Sequence, residues 1–151
     1  MRFRYPLQKI VDLKGNQKTQ AEWMLSEAVA KLREEELGLN ALLQEQQTLQ
    51  ERLRKSAEQP LPIVELQALQ TYIDYIGQQI ERKLLDVAAA QQHVHYKQQQ
   101  LLERTLDEKV WLKSREKAYH HFVALESKKE QAELDEIAIV RQGFERKAGG
   151  E

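Results

Sequence analysis

The sequence predicts an all-α fold: a long two-helix antiparallel coiled-coil hairpin in which the second helix is the longer. Three observations carry that expectation. Apolar residues recur at heptad-like spacing along almost the whole chain; Pro60 and Pro62 interrupt it; and no strand signal or Asn-Gly hairpin turn occurs. Charged residues make up 31% of the 151 and aromatics only 7%, too little large apolar surface for a broad globular core. Such a balance, rich in Ala, Glu, Lys, Leu and Gln, belongs to coiled coils and long helices. The length predicts a single coiled-coil domain over residues 1–151.

Pro6 suits a first helical turn, where its missing N–H costs nothing, so helix 1 is expected from about residue 6 to about residue 57. One heptad frame sets Leu25, Leu32, Leu39 and Leu53 at multiples of seven, with Ala28, Leu42 and Leu49 alternating along the seam. Glu35 and Gln46 intrude into that frame. Gly15 and Gly38 each weaken the helix by about 1 kcal/mol relative to alanine, yet neither has a proline companion to end it.

Ser56-Ala57-Glu58-Gln59-Pro60-Leu61-Pro62 is a stop signal, because proline lacks the N–H and pushes the preceding residue out of the α region. The hinge is expected at about 58–62 and helix 2 at about 63–147, ending at the glycine stop Ala148-Gly149-Gly150. Its apolar series runs through Leu66, Leu69, Ile73, Ile76, Ile80, Leu84, Val87, Val94, Leu101 and Leu112 to Tyr119, Phe122, Leu134, Ile137, Val140 and Phe144. Folding back about residue 61 sets Leu53 level with Leu69, Leu49 with Ile73, Leu42 with Ile80, and Ile10 near Leu112. Helix 2 then continues alone for roughly 30 residues, an overhang of about 45 Å.

A two-stranded seam buries about two residues per heptad per helix, and two regions exceed that. Near the hinge, Leu42, Leu43, Leu49, Leu61, Tyr72, Tyr75 and Ile76 crowd around the seam. With Ile73 and Ile80 in the seam, Tyr72 and Tyr75 lie partly outside it, as an apical mini-core or as a partner site. In the overhang, Leu134, Ile137, Val140 and Phe144 lie on one helical face with no intramolecular partner. An isolated amphipathic helix is marginal in water, so another protein or a second copy should cover the stripe.

The remaining composition narrows the function by exclusion. Net charge is −1 with both signs interleaved, which suits a solvated helix surface and offers no basic stripe for nucleic acid. Without cysteine there are no disulfides and no thiolate metal sites. His93, His95, His120 and His121 stand one or two residues apart in pairs, so the members of a pair point to different helix faces and no metal is expected. No His-Glu-x-x-His or glycine-rich phosphate loop occurs, and a two-helix hairpin offers no water-excluding cleft. The chain is expected to be no enzyme and to bind no cofactor. The N-terminus has no signal peptide and no segment long enough to cross a bilayer, so a cytoplasmic protein without membrane insertion is the plain expectation.

Two end motifs, at this spacing in a chain of this size, resemble the flagellar FliJ family and its injectisome stalk relatives. The opening Phe3-Arg4-Tyr5-Pro6-Leu7-Gln8-Lys9-Ile10-Val11-Asp12-Leu13-Lys14 is similar to the family's aromatic-x-Leu-x-x-Val-Leu start. Glu133-Leu134-Asp135-Glu136-Ile137-Ala138 resembles its Leu-Asp-Glu-hydrophobic-Ala segment, and the hinge near residue 60 also fits. The resemblance implies a non-enzymatic central-stalk component of the flagellar type III export apparatus, peripheral to the inner face of the cell membrane at the flagellar base. Implied partners are the export ATPase hexamer, the cytoplasmic linker of the export-gate membrane protein, and export chaperones that it escorts. The resemblance places gate binding at Tyr72 and Ile76, with Leu42 and Leu49 on the facing helix. Glu45 replaces an expected aromatic there, and Lys83 a histidine of some members. ATPase binding falls to the overhang: Leu134, Ile137, Val140 and Phe144, flanked by Asp135, Glu136 and Arg141. The rival expectations are a prefoldin-like chaperone hairpin, which needs strand-forming residues at the hinge, and a homodimeric scaffold.

Overall fold

The computed structural model describes residues 2–149, and among these α-helix is the sole regular secondary structure. Helix α1 spans Gln8–Ser56, 49 residues, and α2 spans Ile63–Ala148, 86 residues. They pack antiparallel as a hairpin. Helix α1 starts where the Leu7 carbonyl accepts the N–H groups of Ile10 and Val11 at 3.0 and 3.2 Å, with Pro6 in the turn just before. It stops where the Ser56 hydroxyl donates back to the Leu53 carbonyl at 2.6 Å, competing with helical continuation. The N–H groups of Glu58 and Gln59 both turn back onto the Lys55 carbonyl. Pro62 then supplies the first acceptor of α2, its carbonyl taking the Leu66 N–H at 3.1 Å. At the far end the Gly149 N–H bonds to Glu145 at 3.0 Å, while Gly150, the last residue of the expected glycine stop, lies outside the described residues.

The chain divides into two compact units. One is Lys18–Arg104, which contains the hinge; the other joins the residues up to Gln17 with those from Thr105 onward. In the hinge unit the least exposed positions of α2 alternate three and four apart: Leu66, Leu69, Ile73, Ile76, Ile80, Lys83, Val87, Ala90, Val94 and Lys97. Those of α1 follow the same rhythm through Ala21, Leu25, Ala28, Leu32, Glu35, Leu39, Leu42, Gln46, Leu49 and Leu53. These are knobs of an antiparallel coiled coil. Contacts run from Gly38 to Lys83 and from Met24 to Lys97, within one residue of the register that levels Leu42 with Ile80.

Glu35, which interrupts the apolar frame, has an answer on the facing helix. Lys83 occupies a seam position of α2 and donates to Glu35 Oε2 at 3.0 Å, while Lys31 reaches Oε1 at 3.1 Å. Both carboxylate oxygens are therefore paired with ammonium groups, as a half-buried charge requires. Gly38 makes the room: a Cβ there would stand 3.3 Å from Lys83 Cε. A residue that weakens the helix locally thus lets the lysine stem cross the α1 backbone.

In the second unit the N-terminal segment carries the covering of α2 further than the overhang estimate allowed. Lys14 pairs with Asp107 at 2.8 Å, and the Tyr5 hydroxyl shares a hydrogen bond with Ser114 Oγ at 2.9 Å. The Phe3 ring packs on both Tyr119 and Phe122, with centroids 5.4 Å apart in each case. Extended chain before α1 advances about 3.3 Å per residue against 1.5 Å for helix, so a few residues span two turns of α2. The uncovered stretch consequently begins near Ser127, and every residue from there to Gly149 is exposed. That is about 34 Å of helix rather than 45 Å.

Candidate functional site

Each of the two units exposes one apolar surface. In the hinge unit, α2 enters the coil with Leu69 and Ile76 facing α1, which leaves the intervening Tyr72 on the flank of the seam. Tyr72 is 43% exposed and its ring stacks with that of Tyr75, centroids 6.2 Å apart. Its hydroxyl donates to the Glu45 carboxylate, an interaction that also holds the phenol above its ordinary pKa. Glu45, where the family resemblance leads one to expect an aromatic, thus fixes the tyrosine from the facing helix. Leu42 and Leu49 are half-buried beside it.

Ile76 does not join this surface. At 3% exposure it is the most buried of the core residues, held within the seam between Leu69 and Ile80. Four residues are 400° of helix, so moving from Tyr72 to Ile76 rotates about 40° from the flank onto the contact line. As a contact for an outside partner Ile76 is corrected to a residue of the hairpin core. The flank is completed instead by Arg52, Leu61, Glu65 and Ala68, which with Leu49 and Tyr72 line a groove opening toward the hinge. Arg52 and Glu65 passed unnoticed in the sequence because charged residues on a coiled coil usually mark solvated faces; only their position beside an apolar groove distinguishes them.

The second surface is the bare end of α2. Ile137 and Phe144 are 59% and 76% exposed, and Leu134 and Val140 are exposed as well. Glu133, Glu136, Ile137, Val140, Arg141 and Phe144 line one shallow groove along the helix. Of the residues assigned to this end from the sequence, the groove brings together Glu136, Ile137, Val140, Arg141 and Phe144. It leaves out Leu134, which lies further round, and Asp135, whose carboxylate accepts from Gln131 Nε2 at 3.1 Å. Glu133 was missed as part of this surface, although its four-residue spacing from Ile137 puts it on the same face. Among the described residues no helix is long and apolar enough to cross a membrane.

The whole chain is similar to known proteins. A protein of Bacillus subtilis (strain 168) described as a flagellar FliJ protein is 22% identical over 139 residues, covering 92% of this chain and 95% of its own. A solved structure of a YscO homologue from Chlamydia trachomatis matches 97% of this chain and 99% of its own with a TM-score of 0.67, at 18% identity. That second likeness shows a shared fold. The family model of the flagellar FliJ protein matches residues 3–147, nearly the full length with both end motifs and the hinge, and on that ground the chain belongs to the FliJ family.

Proposed function

We propose that this chain is the central stalk of the flagellar type III export apparatus, binding the export ATPase ring with its bare α2 end and the cytoplasmic linker of the export-gate protein with its hinge flank. Membership of the FliJ family makes it a flagellar, export-related protein. The finer assignment rests on one observation above all. The exposed tail after Ser127 keeps an apolar stripe of Ile137, Val140 and Phe144 that neither α1 nor the N-terminal segment covers. Such a stripe is stabilised only by a partner. The ATPase ring is the partner implied by the family resemblance, and Asp135, Glu136 and Arg141 supply charges that set register more than raw affinity.

At the other surface, Tyr72, Leu42, Leu49 and the groove beside them offer an aromatic anchor with a polar rim, the arrangement of a protein-binding hot spot. Chaperone escort and a position at the inner face of the membrane belong to the same proposal. The prefoldin-like alternative is disfavoured by the turn at residues 57–62, which carries no strand pairing. Truncation after Leu125 tests the assignment, since it keeps Phe3 packed on Tyr119 and Phe122 and leaves the hinge untouched. ATPase stimulation and hexamer promotion should be lost while gate-linker binding and the melting temperature largely survive; full stimulation by the truncated chain would refute it.

A further inference from the structure

We propose that residues 130–147 are one half of a heteromeric coiled coil: they take a helix of another protein that sets cations against Glu130 and Glu133 and a carboxylate against Lys147, and their charges exclude a second copy of this chain. The inference deepens the stalk assignment and rests on it only where the ATPase is named as the partner. The pattern is Glu130, Glu133, Ile137, Val140, Phe144 and Lys147, alternating three and four apart as seam positions do, with every member exposed.

This face continues an interface that the molecule already uses. Eighteen residues are five full turns of helix, so Ile137 and Val140 stand on the side of α2 that carries Tyr119 and Phe122. Phe3 covers those two rings, with centroids 5.4 Å away. Beyond them the same side is bare, and helix is the shape that fits its three-four rhythm.

A second copy fits in neither direction. Two parallel tails would set Glu130 on Glu130, Glu133 on Glu133 and Lys147 on Lys147, four carboxylates and two ammonium groups meeting in the seam. Two antiparallel tails would relieve Lys147 against Glu130, but they would press Phe144 on the Glu133 carboxylate. They would also set Glu136 near its own copy on one flank and Arg141 near its own copy on the other. Antiparallel tails have only the Ile137 and Val140 layers apolar on both sides, and parallel tails add only Phe144, so at most three of the six layers are apolar and the charged layers outweigh them. A partner with cations and a carboxylate at the stated positions satisfies every layer. Polar residues at seam positions choose partners in this way at some cost in stability.

Sedimentation of the full chain together with ATPase binding tests the proposal. The wild-type chain should remain monomeric up to hundreds of micromolar. Glu130→Leu with Glu133→Leu should make it dimerise, because five consecutive apolar layers then form and Glu136 meets Arg141 of the other copy in parallel. A dimeric wild type, or a double-leucine variant that stays monomeric, would overturn the self-exclusion. Glu130→Lys with Glu133→Lys should weaken binding to the export ATPase by on the order of tenfold and leave melting unchanged, since charged contacts of this kind govern partner choice. Glu34→Lys on the solvated face of α1 is the control and should bind as the wild type does. Equal binding by the tail variant would refute the charge pattern while leaving the ATPase assignment standing. If the wild-type chain fails to bind the ATPase at all, that assignment falls, and sedimentation still decides whether the tail rejects its own copy.

Discussion

The seam between Leu66 and Leu101 and the bare tail between Glu130 and Lys147 have the same three-four rhythm on the same helix, yet only the first is closed. Both contain charged residues at seam positions. In the seam, Lys83 meets Glu35 across the interface at 3.0 Å, and Gly38 yields the space for it. In the tail, Glu130, Glu133 and Lys147 face solvent. A charge inside a coiled coil is therefore no defect when the facing helix answers it. Where the answer is missing, the same pattern identifies the kind of chain that should supply it.

The sharpest way to break this contrast is to delete equivalent apolar groups in the two regions. Ile76→Ala should lower hairpin stability by about 2–4 kcal/mol, because it empties the tightest layer of the core. Ile137→Ala should change it by less than about 0.5 kcal/mol, since nothing packs on that side chain in the free protein. Thermal melts of the two variants side by side decide the matter, and comparable losses would mean that the tail is covered.

A second contrast concerns acid. Glu35 is held below the ordinary carboxylate range, first by the hydrogen bond from Lys83 and then by that from Lys31. Its folded-state pKa is depressed, so its contribution is complete above the usual carboxylate pKa and disappears as pH falls through the lowered value. Melting temperatures of the wild type and Glu35→Gln should accordingly differ at neutral pH and converge in acid. A gap that persists undiminished at low pH would show that the charge is not what Lys83 recognises.

Smaller effects should distinguish the glycines. Gly77 has open space around its would-be Cβ, so Gly77→Ala should stabilise the helix by about 0.5–1 kcal/mol. Gly38→Ala should gain less, because its methyl group displaces the end of Lys83. Smallest of all is Tyr72→Phe, which removes one solvent-exposed hydrogen bond of little net worth. It should leave melting nearly unchanged, whereas Tyr72→Ala should weaken binding of the gate linker.

Much of this was legible in the residues. The frame through Leu25, Leu32, Leu39 and Leu53, the proline stop at Pro60, and the placing of Tyr72 and Tyr75 outside the seam all depend on period and on proline stereochemistry, which are local properties. Three features were not legible. The seating of Ile76 turned on a 40° rotation between neighbouring rows, finer than an unfixed register resolves. Lys83 as the answer to Glu35 required knowing which residues face each other across the two helices. The clasp of Phe3 on Tyr119 and Phe122 needed the geometry of extended chain before α1, which heptad counting does not describe. At the bare tail, the apolar stripe was visible in its spacing, but Glu133 was absorbed among the solvated charges until the groove set it beside Ile137.

Amide hydrogen exchange, measured on the free chain and again with the export ATPase, tests the division between closed seam and open tail most directly. Amides of the hinge-unit seam, around Ile76, Ile80 and Val87, should be protected in both states, and those from Ser127 to Gly149 should exchange rapidly in the free chain. With the ATPase present, protection should appear across residues 130–147 while the seam stays as it was. A tail already protected in the free protein, or one that the ATPase leaves unprotected, would contradict the account.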